Sequence, residues 1–269
     1  MLTVIIPCKN EQRNIRACLA SVRPIADEIL VADSGSTDGT LEIVRGSPDC
    51  RLIEREYVFS GDFKNWAIPQ AGHEWVLIVD ADERVTPGLA AEIRQVLLSG
   101  GSLDGYWVYR NNYFLGHRIR HCGWQNDSVL RLFRRDEGRY VGDTDHAEVR
   151  VRSGRVGRLR HRLEHFTCWT YDQYFAKLNR YAAWQAHIWR QGGRRPTLSG
   201  LLLRGPWRFL RSYVIELGFL DGLGGLQLCV LMGIYSYMKQ ARLWEQWYAV
   251  PQPDPGEEPC GLAAGRQAA

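Results

Sequence analysis

The chain has 269 residues, of which 45% are hydrophobic and 24% charged, ordinary values for a globular protein with one large domain or slightly more. Its seven cysteines form no CxxC pair, which excludes zinc ribbons and dithiol redox motifs. The net charge of +4 hides an asymmetry: residues 1–149 carry 17 Lys and Arg against 22 Asp and Glu, whereas residues 150–211 carry 14 against 2. The basic middle predicts an anionic partner.

The cysteines and the first residues bear on the cellular compartment. Widely spaced, unpaired cysteines fit a reducing cytoplasm. The start MLTVIIPCKNE has no basic segment and only a short apolar run, which predicts a strand and not a signal peptide.

Hydrophobic runs and helical spacing alternate along the first third of the chain. Strands are predicted for TVIIPC (3–8), EILVAD (28–33), RLIERE (51–56) and WVLIVDAD (75–82). Helices are predicted for QRNIRACLASV (12–22), GTLEIVRG (39–46) and the start of KNWAIPQAG (64–72). This alternation indicates an α/β fold with a doubly wound, mostly parallel sheet.

Three of these strands end in polar segments. They are Lys9-Asn10-Glu11, residues 33–39 (DSGSTDG) and Asp80-Ala81-Asp82. Because ligands bind at the carboxyl ends of strands in such sheets, we expect the three segments to line one rim.

Two carboxylates flank one small residue in Asp80-Ala81-Asp82. Oxygen ligands of this kind suit Mg²⁺ or Mn²⁺ that also binds substrate phosphates. The sequence has no GxxxxGK[ST] phosphate loop, and no GxGxxG follows the first strand. DADERV superficially fits the DxDx[TV] of haloacid-dehalogenase phosphatases, but Arg84 follows Glu83, and that motif normally ends the first strand.

Four segments, in this order, resemble family 2 glycosyltransferases with the GT-A fold: TVIIPCKNEQRNI, ILVADSGSTDGT, FKNWAIPQA and WVLIVDADERV. The later DSVLRLFRRDEGRYVGDTDHAEV resembles the acceptor-side segment of that family. The subgroup that looks most similar contains the lipopolysaccharide-core glucosyltransferases. The resemblance implies a nucleotide-diphospho-sugar donor, with a UDP-sugar as first choice, and Mg²⁺ or Mn²⁺ as cofactor.

The resemblance also assigns site residues. Asp82 is the expected metal ligand, Asp33 the residue that contacts the base, and Lys64-Asn65 a pair beneath the nucleotide. The positions assigned to the donor are Pro7, Lys9, Asn10, Glu11, Asp33, Ser34, Gly35, Lys64, Asn65, Asp80 and Ala81.

The acceptor half offers two candidates for the general base that an inverting transfer requires. Asp127 stands just before an apolar run, where relatives carry their catalytic carboxylate, although Gln125 and Asn126 replace the usual aromatic-Pro. Glu148 is the other candidate, and His146 is a candidate contact for the metal or the diphosphate. His161 and His165 share i,i+4 spacing, but without an HExxH context we predict no metal role for them.

The composition changes beyond residue 165. Residues 170–191 are predicted to form a long amphipathic helix, and Arg204, Arg208 and Arg211 are predicted to share one side of the next one, beside Trp207. Basic faces with aromatic neighbours suit an anionic membrane surface. The uncharged GLGGLQLCVLMGIYSYM (222–238) is short for a membrane span, so we expect docking at the interface.

We therefore predict a catalytic domain at 1–165, with its acceptor side at 105–165, a membrane-associating helical region at 166–250 and a disordered tail at 251–269. The predicted activity is metal-dependent, inverting sugar transfer to a glycan or lipid-linked acceptor at the inner face of the cytoplasmic membrane, without a nucleic-acid partner. The alternatives are a nucleotidyltransferase, whose usual Gly-rich loop is missing, and a catalytically silent glycan- or membrane-binding module.

Overall fold

The computed structural model describes residues 1–100, 103–142 and 147–250. The strands are β1 (Leu2–Cys8), β2 (Glu28–Asp33), β3 (Cys50–Glu54), β4 (Trp75–Ile78), β5 (Glu83–Val85), β6 (Gly105–Phe114), β7 (His117–Ile119), β8 (Ser128–Arg134), β9 (Gly138–Val141), β10 (Glu148–Val151) and β11 (Val156–Cys168). The α-helices are α1 (Ile15–Val22), α2 (Thr40–Arg45), α3 (Ser60–Ala67), α4 (Pro87–Leu98), α5 (Tyr171–Gln191), α6 (Leu198–Leu210) and α7 (Gly222–Tyr248).

The main sheet has a parallel half and a mixed half. Its order is β3-β2-β1-β4-β8-β6-β11-β5, with β7 paired to β6. The first four strands are mutually parallel, as predicted, because β1 and β2 are apolar on both faces and buried between helices. Beyond β4 the sheet departs from the mostly parallel prediction, since β8 pairs antiparallel with both β4 and β6.

Helices cover both faces of the parallel half. On one face α1 buries Ile15, Cys18, Leu19 and Val22 in a core that includes β1 and α4 residues. α4 begins at Pro87, and the hydroxyl of the preceding Thr86 accepts the backbone N–H of Leu89 at 3.2 Å. On the other face α3 contributes Phe63 and Ala67 to a second core.

The chain forms two compact units. The first comprises Met1–Tyr174 and Arg211–Cys229, and the second comprises Phe175–Leu210 and the chain from Val230 onward. The first unit thus extends beyond the predicted boundary at residue 165, since β11 continues to Cys168 and residues 211–229 belong to this unit. The tail predicted at 251–269 lies outside the described residues.

The second unit is helical. α6 and α7 approach closely at two glycines: a Cβ added to Gly205 would lie 3.2 Å from the Gly233 carbonyl, and one added to Gly233 would lie 3.0 Å from the Gly205 carbonyl. α5 and α7 are joined by a hydrogen bond of 2.6 Å from Arg242 to Asn179. The outward side chains of α6 are apolar, with Leu198, Leu202, Leu203, Trp207 and Leu210 each at least half exposed.

One described segment, Gly218–Tyr248, is long and apolar enough to cross a membrane, with a mean hydropathy of 1.4 in its 18-residue window. The segment had been predicted to be short because only residues 222–238 were considered. In the structure α7 continues for 27 residues to Tyr248. A third of that window is buried inside the fold, and core helices of soluble proteins meet the same criterion.

Candidate active site

The ends of β1 and β2 form one continuous rim. Cys8 pairs with Asp33 at the last rung of the two strands. The backbone N–H of Asn10 donates to the Ser36 hydroxyl at 2.8 Å, and the N–H of Thr37 donates to the Asn10 side chain at 2.7 Å. Asn10 adopts a positive φ of 56°, a conformation that asparagine tolerates better than most residues. The polar segments that follow β1 and β2 therefore converge as predicted.

Asp33 organises this rim. It is fully buried, and its Oδ1 accepts the N–H groups of Gly35 and Ser36, each at 2.8 Å. Its Oδ2 accepts the Ser36 hydroxyl. The hydrogen bonds that Gly35 and Ser36 donate to the Asp33 carboxylate therefore fix the conformation of the loop after β2. Its contact with a nucleotide base stays a prediction, as do those of Pro7, Lys9, Glu11 and Ser34.

Asp80 follows β4 and lies between two cations. Its Oδ1 is 2.9 Å from Nζ of Lys64, and its Oδ2 contacts the Arg131 guanidinium. Burial alone would raise the pKa of Asp80, but the charges of Arg131 and Lys64 outweigh it and hold that pKa well below its usual range. The positive partners of Asp80 within the protein are thus side chains of α3 and β8.

Glu83 extends this ionic network into the core. It is fully buried and accepts Arg131 at 2.8 Å, Arg110 at 3.4 Å and the backbone N–H of Asp80 at 3.0 Å. Burial tends to lower the pKa of Arg131, but Asp80 and Glu83 raise it. Each buried carboxylate is matched by a cation, the arrangement that makes buried charge tolerable.

Asp127 is bound by Arg110 and Asn112. Arg110 donates two hydrogen bonds to its carboxylate, at 2.8 and 2.9 Å, and the Asn112 amide donates a third at 2.8 Å. Burial raises the pKa of Asp127, but the hydrogen bonds and charge of Arg110, followed by Asn112, lower it overall. The side chain remains 26% exposed, so a hydroxyl group can approach a carboxylate that is ionised at neutral pH.

His165 connects this base candidate to Asp82. Because the Asn112 amide nitrogen donates to Asp127, its oxygen faces Nδ1 of His165, 2.6 Å away, and accepts the proton there. Nε2, the other ring nitrogen, lies 3.5 Å from Oδ2 of Asp82. The contacts run in sequence from Asp82 through His165 and Asn112 to Asp127.

The distance between Nε2 of His165 and Oδ2 of Asp82 is that of two ligand atoms on one cation. Two ligand atoms about 2.1 Å from a metal, at angles between octahedral and tetrahedral, lie about 3.0–3.5 Å apart. Within the ranges that the structure describes, no three His, Cys, Asp or Glu side chains converge on a single point. The Asp82 carboxylate is a ligand that suits Mg²⁺ and Mn²⁺ alongside phosphates and water. The His165 imidazole suits a transition metal better than Mg²⁺, so the two residues together fit a donor-bound Mn²⁺ better than Mg²⁺.

The other predicted site residues have different surroundings. Asn65 binds the backbone of Tyr140 in both directions, each at 2.9 Å, which fastens α3 to β9. Ala81 is buried. Glu148 is exposed at the start of β10, and no described contact joins it to the network around Asp127. His146 lies outside the described residues.

Three aromatic rings stack in series beside Asp82. The ring of Phe166 lies 4.6 Å from Tyr113 and 5.1 Å from Trp169, centre to centre and nearly parallel to both. The Phe166 backbone N–H donates to the Asp82 carbonyl at 2.9 Å. Trp169 donates through its indole nitrogen to Asn14 at 2.9 Å and remains 39% exposed. A row of stacked aromatic rings therefore begins beside Asp82 and ends at the exposed Trp169.

Sequence reasoning missed Arg110, Arg131, Asn112 and His165. The expectation that His165 has no metal role rested on a helical interpretation of its spacing from His161. Both residues lie on β11, where His165 pairs with Asn112 and Glu83 of the neighbouring strands. The only feature of the sequence that could have indicated the position of His165 on a strand is that it stands within an alternating polar and apolar run.

Comparison with known proteins places this geometry in a family. The model for glycosyl transferase family 2 matches residues 3–155. The lipopolysaccharide core biosynthesis glycosyltransferase LpsC of Rhizobium meliloti is 30% identical over 251 residues, covering 91% of this chain and 92% of that protein. An uncharacterized glycosyltransferase of Rickettsia bellii is 24% identical over 262 residues, covering 91% of this chain and 86% of that protein.

Among solved structures, the mannosyltransferase PcManGT of Pyrobaculum calidifontis, in complex with GDP-mannose and Mn²⁺, has a similar fold. It is 18% identical, with a TM-score of 0.53 over 91% of this chain and 87% of that one. The GT-A architecture expected from the sequence is confirmed. The chain belongs to glycosyl transferase family 2 and is a glycosyltransferase.

Proposed function

We propose that this enzyme transfers a sugar, with inversion, from a nucleotide-diphospho-sugar to a hydroxyl group of a membrane-associated glycan or lipid-linked acceptor. The observation that carries the proposal is the sequence of contacts from Asp82 through His165 and Asn112 to Asp127. It sets a pair of metal-binding side chains beside an ionised, partly exposed carboxylate at the rim where the strands end.

The donor is proposed to lie along the rim formed by β1, β2 and β4. Asp82 and His165 would hold Mg²⁺ or Mn²⁺, which would neutralise charge on the departing diphosphate. Lys64 and Arg131 fix the Asp80 carboxylate in place at this rim. PcManGT binds GDP-mannose and Mn²⁺ on the same fold. A UDP-sugar remains our first choice of donor.

Asp127 is proposed as the general base. The acceptor oxygen attacks the anomeric carbon, the bond from that carbon to the diphosphate oxygen breaks, and the acceptor proton passes to Asp127. Arg110 and Asn112 hold the carboxylate in place and keep it ionised. The same contacts make it a weaker base than an isolated aspartate, so positioning contributes much of its effect.

Loss of metal binding tests the donor site directly. Binding of Mn²⁺ in the presence of UDP, measured by calorimetry, should weaken at least about tenfold in Asp82→Asn and in His165→Gln. His161→Gln is the matched control, because His161 lies on the same strand and binds Glu92 instead. Unchanged binding in His165→Gln would remove that residue from the site, and unchanged binding in both variants would remove the metal proposal.

The acceptor is proposed to contact the row of Tyr113, Phe166 and Trp169. Aromatic faces bind the apolar faces of sugar rings, and this row begins one hydrogen bond from Asp82. The similarity to LpsC supports an acceptor of the lipopolysaccharide-core class. Trp169→Ala should raise the KM for such an acceptor while donor hydrolysis in water stays unchanged.

We further propose that the enzyme is peripheral on the inner face of the cytoplasmic membrane. The exposed apolar side of α6, including Leu202, Leu203 and Trp207, supports this placement. Nucleic acid is not among the proposed partners. Fractionation of cells should recover the protein with membranes, and extraction by high salt without detergent should release only part of it.

A further inference from the structure

Three cations gather around one tryptophan in the second unit, and a fourth lies beside them. The guanidinium carbons of Arg194 and Arg204 lie 4.2 and 5.7 Å from the centre of the Trp189 ring, and Nζ of Lys239 lies 5.8 Å from it. The charge of Arg208 lowers the pKa of Lys239, and the Arg208 guanidinium lies 3.4 Å from the Met232 sulfur. We call this group the cation cluster.

The cluster has a surplus of positive charge. In the part of the chain that the structure describes, no carboxylate pairs with Arg194, Arg204 or Lys239. Burial lowers the pKa of Lys239, and repulsion by Arg208, Arg204 and Arg194 lowers it further. Burial and Arg204 likewise lower the pKa of Arg194. The ring faces of Trp189 and of Tyr235, 4.4 Å from Lys239, offset this repulsion only in part.

Apolar side chains border the cluster on the same helix. α6 supplies Arg204 and Arg208 and also carries Leu202, Leu203 and Trp207, which are 61%, 63% and 60% exposed. Its glycines face α7, so the large apolar residues point outward. Exposed apolar bulk beside grouped cations matches the chemistry of a bilayer interface, where acyl chains lie directly below phosphates.

We propose that Arg194, Arg204, Arg208 and Lys239 bind the phosphate of an anionic phospholipid, while Leu202, Leu203 and Trp207 enter the acyl boundary. This rests on the membrane placement in the proposed function and adds to it a defined headgroup site. A guanidinium group can donate two parallel hydrogen bonds to two oxygens of one phosphate, which favours phosphate over anions without this geometry. The apolar neighbours favour a lipid as the source of that phosphate.

The structure divides the arginine group expected from the sequence. Arg211 forms an ion pair of 3.0 Å with Glu216 and belongs to the first unit, so it is not part of the cluster. Arg194, which shortly precedes α6, and Lys239 of α7 take its place. The proposed site is therefore specific to particular arginines and differs from a diffuse basic surface.

Vesicle flotation tests the site with matched charge changes. The site variant is Arg204→Gln with Lys239→Gln, and the control variant is Arg180→Gln with Arg190→Gln, two exposed arginines of α5 in the same unit. With phosphatidylcholine vesicles that contain a quarter phosphatidylglycerol, the site variant should partition about thirtyfold more weakly than the wild type. The control should change by less than about threefold.

Equal losses in the two variants would mean diffuse attraction and would overturn the site. If the wild type bound pure phosphatidylcholine vesicles as strongly as vesicles with phosphatidylglycerol, the requirement for an anionic lipid would be overturned. Glycerol phosphate that displaces the wild type from vesicles would assign the cluster to a soluble phosphate instead. Because the substitutions remove like-charge repulsion, the melting temperature of the site variant should not fall.

Donor hydrolysis separates this inference from the proposed activity. The site variant should hydrolyse a nucleotide-sugar in water at the wild-type rate, since its substitutions lie in the second unit. A wild type that binds vesicles through the cluster but hydrolyses no donor would leave the lipid site standing and contradict the proposed reaction. A wild type that does not float at all would remove both the lipid site and the membrane placement.

Discussion

Replacing Arg131 with methionine should destabilise the fold far more than the loss of a surface ion pair. Arg131 is 4% exposed and lies between Asp80 and Glu83, which it contacts directly. Methionine fills a similar volume but removes the charge. Glu83, which is fully buried, would then keep only Arg110 as a cation, at 3.4 Å, and Asp80 would keep only Lys64.

The cost follows from the charges that remain buried. Removing one partner of a buried ion pair typically destabilises a protein by about 3–5 kcal/mol, because the other charge stays out of water. A typical domain has a net stability of only about 5–15 kcal/mol, so about a fifth or more of it would be lost. In the double variant, Glu83→Gln also removes one of the two carboxylates that have lost Arg131. This should restore about 1–3 kcal/mol, measured as the coupling energy between the two sites.

Urea unfolding followed by circular dichroism measures this difference. Arg23→Met is the matched control, since Arg23 also donates two hydrogen bonds to carboxylate oxygens, both of Asp49, but on the surface. Screening by solvent should keep its cost below about 1 kcal/mol. A cost in Arg131→Met no larger than in the control, with an unchanged denaturant slope, would refute the reasoning that the network carries buried charge.

The remaining predictions concern the general base Asp127 and its titration, the hydrogen bonds of Asn65 to Tyr140, and the contact of the acceptor with Trp169. Asp127→Asn should slow transfer by about 10²–10⁴-fold with donor binding retained, and Glu148→Gln should show a milder acceptor-side defect; reversed magnitudes in steady-state kinetics would assign the base to Glu148. The pKa of Asp127 is lowered by folding, so its stabilising contribution is complete above the unfolded value of about 3.9 and is lost as pH falls through the folded pKa. Wild type and Asp127→Asn should therefore differ most in stability near pH 7 and converge in strong acid, which acid titration of urea midpoints would check. Asn65→Ala should cost about 1–3 kcal/mol in the same assay, since both hydrogen bonds to Tyr140 disappear. An acceptor KM that is unchanged in Trp169→Ala would exclude the aromatic row from the acceptor site.

Local patterns were enough to predict the parallel half of the sheet and its polar rim. β1, β2 and β4 are short apolar runs followed at once by polar residues, and the helix α1 shows its buried face in the spacing of Ile15, Cys18, Leu19 and Val22. Each of these signals lies within one element and its adjoining turn. The order of strands then follows from the preference of such units for parallel, helix-covered sheets. The family resemblance rests on the same segments.

The tertiary structure alone decided which charges meet. The sequence assigns Asp80 to the donor site but does not indicate its partners within the protein, which are Lys64 and Arg131 because β8 is inserted next to β4 in the sheet. His165 comes beside Asp82 because β11 pairs with β5, more than 70 residues earlier in the chain. Antiparallel insertion of this kind depends on packing between distant segments, which no local periodicity encodes.

The same contrast holds for the C-terminal helices. Sequence alone determined that α5 and α6 are amphipathic and that residues 150–211 are basic. It grouped Arg204, Arg208 and Arg211 by helical spacing along a single helix. In the structure α6 ends at Leu210, and Arg211, the first residue of a five-residue π-helix, pairs with Glu216. The glycine contact between α6 and α7 accompanies the gathering of Lys239 and Arg194 around Trp189. The charge of each residue is a property of the sequence, but its neighbours depend on where helices end and which faces pack.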